Sequence, residues 1–307
     1  MQAILVSDIH LQANAPVCRA GEPDWFAAMT RPLQELAALQ KHHGGAPILY
    51  AGDIFDQWHA RPEVINFALT NLPQGYAVPG QHDLPDHNYA EIHRSAYWTL
   101  VEAGCIQNLG PGERHIIKTP DKLPLAVYGF PWGCPIHSCE ETVVALRVAV
   151  VHSFIWQKDA GYIGAPVDRM VGACKNMFRG YTAVAFGDNH KGFIADGDGV
   201  AVCNCGGLMR RKIDERNYRP GVGLLHADGA ITRHYLDITE DHFAAMTEAE
   251  EAVAQVLDMS AFVDGLRNLE TNDALDFIAA LKRFIRDNKT PPQVAEVILQ
   301  ASEGVQK

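Results

Sequence analysis

At 307 residues and 47% hydrophobic content, the chain can build one large α/β domain, or a domain with a smaller appendage. No apolar run approaches the roughly 20 residues a membrane-spanning helix needs, and a net charge of −11 argues against a protein that coats nucleic acid through many Lys and Arg contacts. Seven cysteines cannot all pair within one chain, and their irregular spacing offers no zinc-ribbon pattern, so reduced thiols are expected, with Cys203 and Cys205 as packing residues. In chain order, the N-terminus enters an apolar run at 3–6 with no basic-then-apolar leader, and a cytoplasmic location is expected. Further short apolar runs at 47–51, 76–78, 148–151 and 182–186 have the length and continuity of strands buried on both faces. Helical patterns cover 23–41, 62–72, 89–103 and 168–178, and later strands are expected at 200–203, 222–226 and 231–236, the last two as a hairpin about Asp228-Gly229. From Thr239 the strand signals stop: Phe277, Ile278, Leu281, Phe284 and Ile285 repeat at helical spacing, and Pro291-Pro292 opens a final helix carrying Val294, Val297 and Ile298. The expected organisation is an α/β domain over 1–238 and a helical appendage over 239–307.

Each of the first five apolar runs leads into a polar cluster: Ser7-Asp8-Ile9-His10, Gly52-Asp53-Ile54-Phe55-Asp56, Gly80-Gln81-His82-Asp83, His152-Ser153 and Gly187-Asp188-Asn189-His190. In open α/β sheets functional groups gather beyond the carboxyl ends of the strands, where all five clusters would fall. Asp8, Asp53 and Asp188 brought into one crevice would repel one another and take up protons unless cations were present. Two divalent metal ions are therefore expected at that point, and they would reverse the local sign of an acidic protein enough to admit a phosphate substrate.

The ordered set D-x-H, G-D-x-x-D, G-x-H-D, a strand-end His and G-x-x-H, running from Asp8 to His190, resembles the calcineurin-like metallophosphoesterases. Within that superfamily the chain is most similar to the SbcD-type nuclease subunits of DNA double-strand-break repair and their shorter phage and prophage relatives. The residues that carry this narrower likeness are Gly52 to Asp56, Ala185 to Gly192 and Cys205 to Lys212. The resemblance implies a four-layer α/β/β/α sandwich with two mixed sheets. It implies that Asp8, His10 and His190 bind one metal, that Asp53 bridges, and that Gln81, His152 and Asp188 fall where the second metal's ligands sit. It further implies that His82 stabilises transition-state charge or protonates the leaving alkoxide, that Asp83 orients His82, and that Asp56 supports the site from behind. Paired cations lower the pKa of a shared water and stabilise both attacking and leaving oxygens.

Two departures from the family pattern bear on the second metal. Gln81 replaces the usual Asn, moving the amide oxygen one methylene outward, and Asp188 stands where the repair nucleases commonly have His. Oxygen-rich ligation with some imidazole favours manganese, with magnesium, iron and zinc as alternatives. The implied function is a manganese-dependent DNA exonuclease, with DNA as substrate and a coiled-coil ATPase of the SbcC type or a second copy of the chain as partner. Two other readings stand beside it: a phosphatase or small-molecule phosphodiesterase, since reaction-centre motifs say little about the rest of the substrate, and a metal-bound scaffold silenced at Gln81. Arg210, Arg211 and Lys212 either grip the phosphodiester backbone or form an exposed loop balanced by Asp214 and Glu215. Trp25, Trp58, Trp98, Trp132 and Trp156 either stack on bases or pack. His42, His43, His59, His87, His93, His115 and His137 lack motif context and are expected to be structural or solvent-facing.

Overall fold

The computed structural model describes residues 1–140, 143–162 and 165–244. Twelve strands and four α-helices follow in order along the described residues, alternating as far as β4: β1 (Ala3–Val6), α1 (Trp25–His42), β2 (Ile48–Ala51), α2 (Pro62–Asn71), β3 (Gly75–Val78), α3 (Ala96–Glu102), β4 (Ile106–Asn108), β5 (Arg114–Lys118), β6 (Pro124–Phe130), β7 (Leu146–His152), α4 (Val171–Cys174), β8 (Ala183–Gly187), β9 (Phe193–Asp196), β10 (Ala201–Asn204), β11 (Gly221–Leu225) and β12 (Ile231–Tyr235). They form two six-stranded mixed sheets, ordered β12-β11-β1-β2-β3-β4 and β5-β6-β7-β8-β10-β9. In the first, β1 to β4 run parallel and β11 and β12 are antiparallel additions; in the second, β6, β7, β8 and β10 run parallel between antiparallel edges.

Strand alternation sorts the apolar residues into three cores. Ile4, Val6, Ile48 and Tyr50 face α1, α2 and α3, joining Met29, Leu33, Val64, Ala68 and Tyr97. Ala3, Leu5, Leu49 and Ala51 point the other way and meet Val148, Val150, Ala183 and Ala185 of the second sheet. The opposite faces of β7 and β8, with Ala149, Val151, Val184 and Phe186, are covered by Val171, Cys174 and Phe178. Continuous apolar runs are what a strand covered on both faces requires, because successive side chains enter different cores. The expected four-layer α/β/β/α arrangement is the one observed, although the cover on the second sheet is thin. Of the helix expected over 168–178, only α4 is α-helical, between 3-10 turns at Val167–Arg169 and Lys175–Phe178.

The other departures are local. The helix expected over 89–103 is a 3-10 segment, Tyr89–Arg94, followed by α3, and the break falls at Ser95, whose hydroxyl accepts from Trp98 N at 3.1 Å as an N-cap. β4, β5 and β9 add to the expected strands; each is an edge strand carrying polar residues, so the pattern that marks two-sided burial is absent there. The central strand β6 was also missed, its apolar run being bounded by Pro124. Cys203 and Cys205 are free and buried in the core between the sheets. Residues 239–244, the start of the expected appendage, form no helix; they lie against residues 17–22, with Ala244 N donating to the Cys18 carbonyl at 2.8 Å. The helices expected around Phe277 and Val294 lie outside the described residues. No described helix is long and apolar enough to cross a membrane.

Candidate metal centre

Five parallel strands, β1, β2 and β3 from one sheet and β7 and β8 from the other, end at one place. The loops leaving β1 and β2 run side by side: Asp8 N donates to the Gly52 carbonyl at 3.0 Å, His10 N to the Asp53 carbonyl at 2.9 Å and Leu11 N to the Ile54 carbonyl at 2.8 Å. To turn side chains into the crevice the backbone adopts positive φ at Asp8 (50°), His10 (50°), Asp53 (54°) and Asp188 (81°). Asp and His tolerate the left-handed region better than branched residues, and such strain, of order 1–3 kcal/mol per residue, gathers at functional sites. Gly52, at φ 92°, passes so close to His152 that a Cβ there would lie 2.1 Å from its Nδ1. A Cβ on Gly80 would lie 2.0 Å from Asp53 Oδ1. Both glycines are set by close approach rather than by the turn alone.

Three potential ligand triads share corners: Asp8, His10 and His190; His10, Asp53 and His82; and Asp8, Asp53 and His152, with the ligand atoms of each within 4.8 Å of one another. His10 Nε2 and His190 Nε2 face each other at 3.1 Å. Asp53 Oδ2 lies 3.4 Å from His152 Nε2 and 3.7 Å from His10 Nε2, and Asp8 Oδ1 lies 3.9 Å from the Nε2 atoms of His10 and His190. Asp188 stands outside the triads. Its carboxylate accepts from the Gln81 amide at 2.9 Å, and its N–H donates to Asp8 Oδ1 at 3.1 Å. Asp8, Asp53 and His152 are almost wholly buried.

The imidazoles are held from outside. His152 Nδ1 donates to the Ala51 carbonyl at 2.6 Å and His82 Nδ1 to the Asp56 carbonyl at 2.9 Å. His190 Nδ1 lies 3.4 Å from Glu215 Oε1, and His10 Nδ1 lies 3.6 Å from Asp56 Oδ1. A carbonyl can only accept, so Nδ1 of His152 and of His82 carries a hydrogen, and Nε2 is the atom each ring turns inward. Burial pushes the Asp8 carboxyl upward against the pull of His190 and His152, and burial likewise lifts Asp188 to about 6. Burial opposes charge on Asp53 and His152 too, but their mutual attraction dominates, lowering the carboxyl and raising the imidazole. His10 is driven well below the ordinary imidazole value by burial and by the Arg211 charge.

These residues fit divalent cations. Among the described residues, the buried side-chain atoms without a hydrogen-bond partner include Asp53 Oδ2, Gln81 Oε1 and His152 Nε2, whose cost a cation would relieve, and His10 Nδ1 on the outer side of its ring. Two facing Nε2 atoms, three carboxylates and an amide oxygen form a mixed nitrogen and oxygen donor set of the kind that holds manganese, iron or zinc.

The structure brings Asp8, His10, Asp53, Gln81, His82, His152, Asp188 and His190 together, and it redistributes some expected supporting roles. Asp83 does not orient His82. Its carboxylate instead accepts three backbone N–H groups, from Ile54 at 3.2 Å, Phe55 at 3.0 Å and Gly80 at 3.0 Å, tying the loop after β3 to the loop after β2. The orienting group is the Asp56 carbonyl, while the Asp56 carboxylate pairs with Arg211. Arg210 also departs from expectation. It is buried, and its guanidinium is bonded to Asp241 and to the carbonyls of Arg216 and Ile238, so it braces a loop and is not offered to a phosphate. Burial and the nearby Lys212 charge oppose protonation of His190, but Glu215 and Asp8 outweigh them and raise its imidazole. Trp25 is core, whereas the Trp132 ring lies 6.3 Å from that of His152. Among the described residues, the histidines outside the motifs join none of the triads. Glu215 was missed: it follows a basic run, and nothing in its spacing links it to a histidine 25 positions earlier.

No family model matches the chain, and no curated protein sequence matches it. Solved structures do. An archaeal phosphodiesterase is similar at 14% identity and a TM-score of 0.35, over 77% of this chain and 100% of that one. A putative 5'-nucleotidase from Staphylococcus aureus is similar at 12% identity and a TM-score of 0.48, over 83% of this chain and 57% of that one. TT1561 of Thermus thermophilus is similar at 12% identity and a TM-score of 0.46, over 76% of this chain and 98% of that one. These likenesses are distant, and function is read from the side chains of this chain itself.

Proposed function

We propose that the chain is a metal-dependent phosphoester hydrolase that cleaves phosphodiesters, with DNA as its substrate and manganese as its metal. The observation that carries the hydrolase reading is the pair of Nε2 atoms of His10 and His190 facing at 3.1 Å beside the buried carboxylates of Asp8 and Asp53. Asp8, His10 and His190 would hold one cation, Asp53 would lie between two, and Gln81, His152 and Asp188 would hold the second. Once bound, the cations supply Lewis acidity and activate water for attack on phosphorus. The rest is done by the chain. Ala51 and Asp56 fix the His152 and His82 rings so that neither must reorient during turnover. Because His82 Nδ1 keeps its hydrogen on the Asp56 carbonyl, Nε2 is the atom that gives a proton to the leaving oxygen and takes one up afterwards. Asp83 holds the two loops that carry Asp53 and His82 in register.

DNA as substrate, manganese, and a coiled-coil ATPase or a second copy as partner rest on the likeness of Gly52 to Asp56, Ala185 to Gly192 and Cys205 to Lys212 to the SbcD-type subunits. The test is one panel: protein with Mn²⁺ is offered labelled single- and double-stranded DNA, a bis-aryl phosphodiester and an aryl phosphomonoester. Loss of DNA with little monoester turnover is expected. Monoester preference would overturn the DNA reading, and silence on all four with Mn²⁺ bound would overturn the hydrolase reading.

A further inference from the structure

The loop between β10 and β11 reaches the metal centre from behind, through contacts that none of the motifs contains. Leu208 N donates to the Asp8 carbonyl at 3.1 Å and Gly207 N to the His190 carbonyl at 3.1 Å, so the loop is stitched to both ligand-bearing segments. Two side chains then act on the imidazoles. Glu215 is buried; its Oε1 faces His190 Nδ1 at 3.4 Å while Oε2 accepts from Arg211 N at 2.6 Å and Lys212 N at 3.0 Å. Arg211 pairs with the Asp56 carboxylate, whose Oδ1 lies 3.6 Å from His10 Nδ1. His190 is thus backed by a carboxylate, while the carboxylate nearest His10 Nδ1 stands 3.6 Å away, beside the ring but beyond hydrogen-bond reach, and both carboxylates are held by the same short stretch of chain.

We propose that this loop is an orienting collar for the first metal, with Glu215 and Arg211 as positioning residues. Glu215 keeps the hydrogen of His190 on Nδ1 and turns Nε2 toward the cation; Arg211 holds the Asp56 carboxylate beside the His10 ring, a weaker influence at 3.6 Å. A carboxylate behind a ligating imidazole sets the tautomer and raises the basicity of the ligand, and its loss costs about 10- to 100-fold in metal affinity. The proposal rests on the metal-centre reading given above.

The test compares wild type with Glu215→Ala, Glu215→Gln and Arg211→Met. Metal-free protein is titrated calorimetrically with Mn²⁺, and the histidine ¹⁵N spectrum is recorded without metal. Glu215→Gln retains an oxygen for the two backbone N–H groups, so its metal-free melting temperature separates loop damage from lost orientation. Expected results are a melting temperature near wild type for Glu215→Gln, a loss of about 10-fold or more in one of two binding events, a larger loss for Glu215→Ala, a smaller one for Arg211→Met, and a changed tautomer signature at His190. Wild-type affinity with an unchanged spectrum in both Glu215 variants would overturn the collar while leaving the metal centre intact. A wild-type protein that takes up no Mn²⁺ would overturn the metal reading and the collar with it.

Discussion

Replacing Asp8 by asparagine removes one charge from a crevice that holds three carboxylates and leaves the shape of the side chain unchanged. The ligand atoms of Asp8 and Asp53 lie within 4.8 Å of each other, and two unit charges about 4.8 Å apart repel by about 3.5 kcal/mol at an effective dielectric of about 20. Against that gain, the neutral amide forfeits the attraction to His190 and His152, and the bonds the side chain accepts from the Ser7 hydroxyl and Asp188 N lose their charge assistance, about 1 kcal/mol each. Burial is the largest influence on the Asp8 carboxyl and acts against its charged form, pushing it upward. Without metal, Asp8→Asn should therefore be as stable as wild type or more so, by up to about 1 kcal/mol, which is about 2–4 °C in a domain of this size. With Mn²⁺ at about 100 times its Kd, wild type gains about 2.7 kcal/mol, and the variant, lacking a ligand that belongs to two triads, gains little. The order of the two melting temperatures should invert between EDTA and excess Mn²⁺ in a scanning fluorimetry experiment. A variant that melts well below wild type in EDTA, or that shows the full Mn²⁺-induced rise, would refute both the electrostatic reasoning and the ligand role.

His82→Ala should retain both Mn²⁺ binding events in calorimetry and lose about 10²- to 10⁴-fold in kcat, the range for a general acid; unchanged turnover would remove its proton-transfer role. Gly52→Ala must place a Cβ 2.1 Å from His152 Nδ1 at a backbone φ of 92°, and a loss of at least about 2 kcal/mol in urea unfolding is expected, together with weakened metal uptake. The buried Glu22 carboxylate accepts from Arg19, Arg31 and His242 N and thereby joins residues 241–242 to the first loop. Burial opposes its ionisation, but these donors hold it below the ordinary Glu value. Its stabilisation is therefore complete above the unfolded-state pKa near 4.5 and is lost as pH falls through the lower folded-state value. Glu22→Gln should cost about 1.5–3 kcal/mol at pH 7, with the gap from wild type closing below about pH 4 in acid-unfolding curves.

Part of this protein is legible in its amino-acid sequence. Ala3 to Val6, Ile48 to Ala51 and Ala183 to Phe186 are continuous apolar runs followed by Ser-Asp or Gly-Asp, and runs this short with such turn residues behind them suit strands covered on both faces, so the double-sided sheets and the loops at their carboxyl ends follow from local chemistry. Asp and His at those ends also suit the left-handed backbone that turns them inward. The supporting contacts were decided elsewhere. Whether Asp83 meets a ring or three backbone N–H groups, whether Arg210 faces solvent or Asp241, and whether Glu215 lies behind His190 depend on how separate loops pack once two sheets close on each other. Hydrophobic periodicity reports which face of an element is buried; a hydrogen bond between residues dozens of positions apart leaves no period in the chain, and only the folded arrangement of the loops determines it.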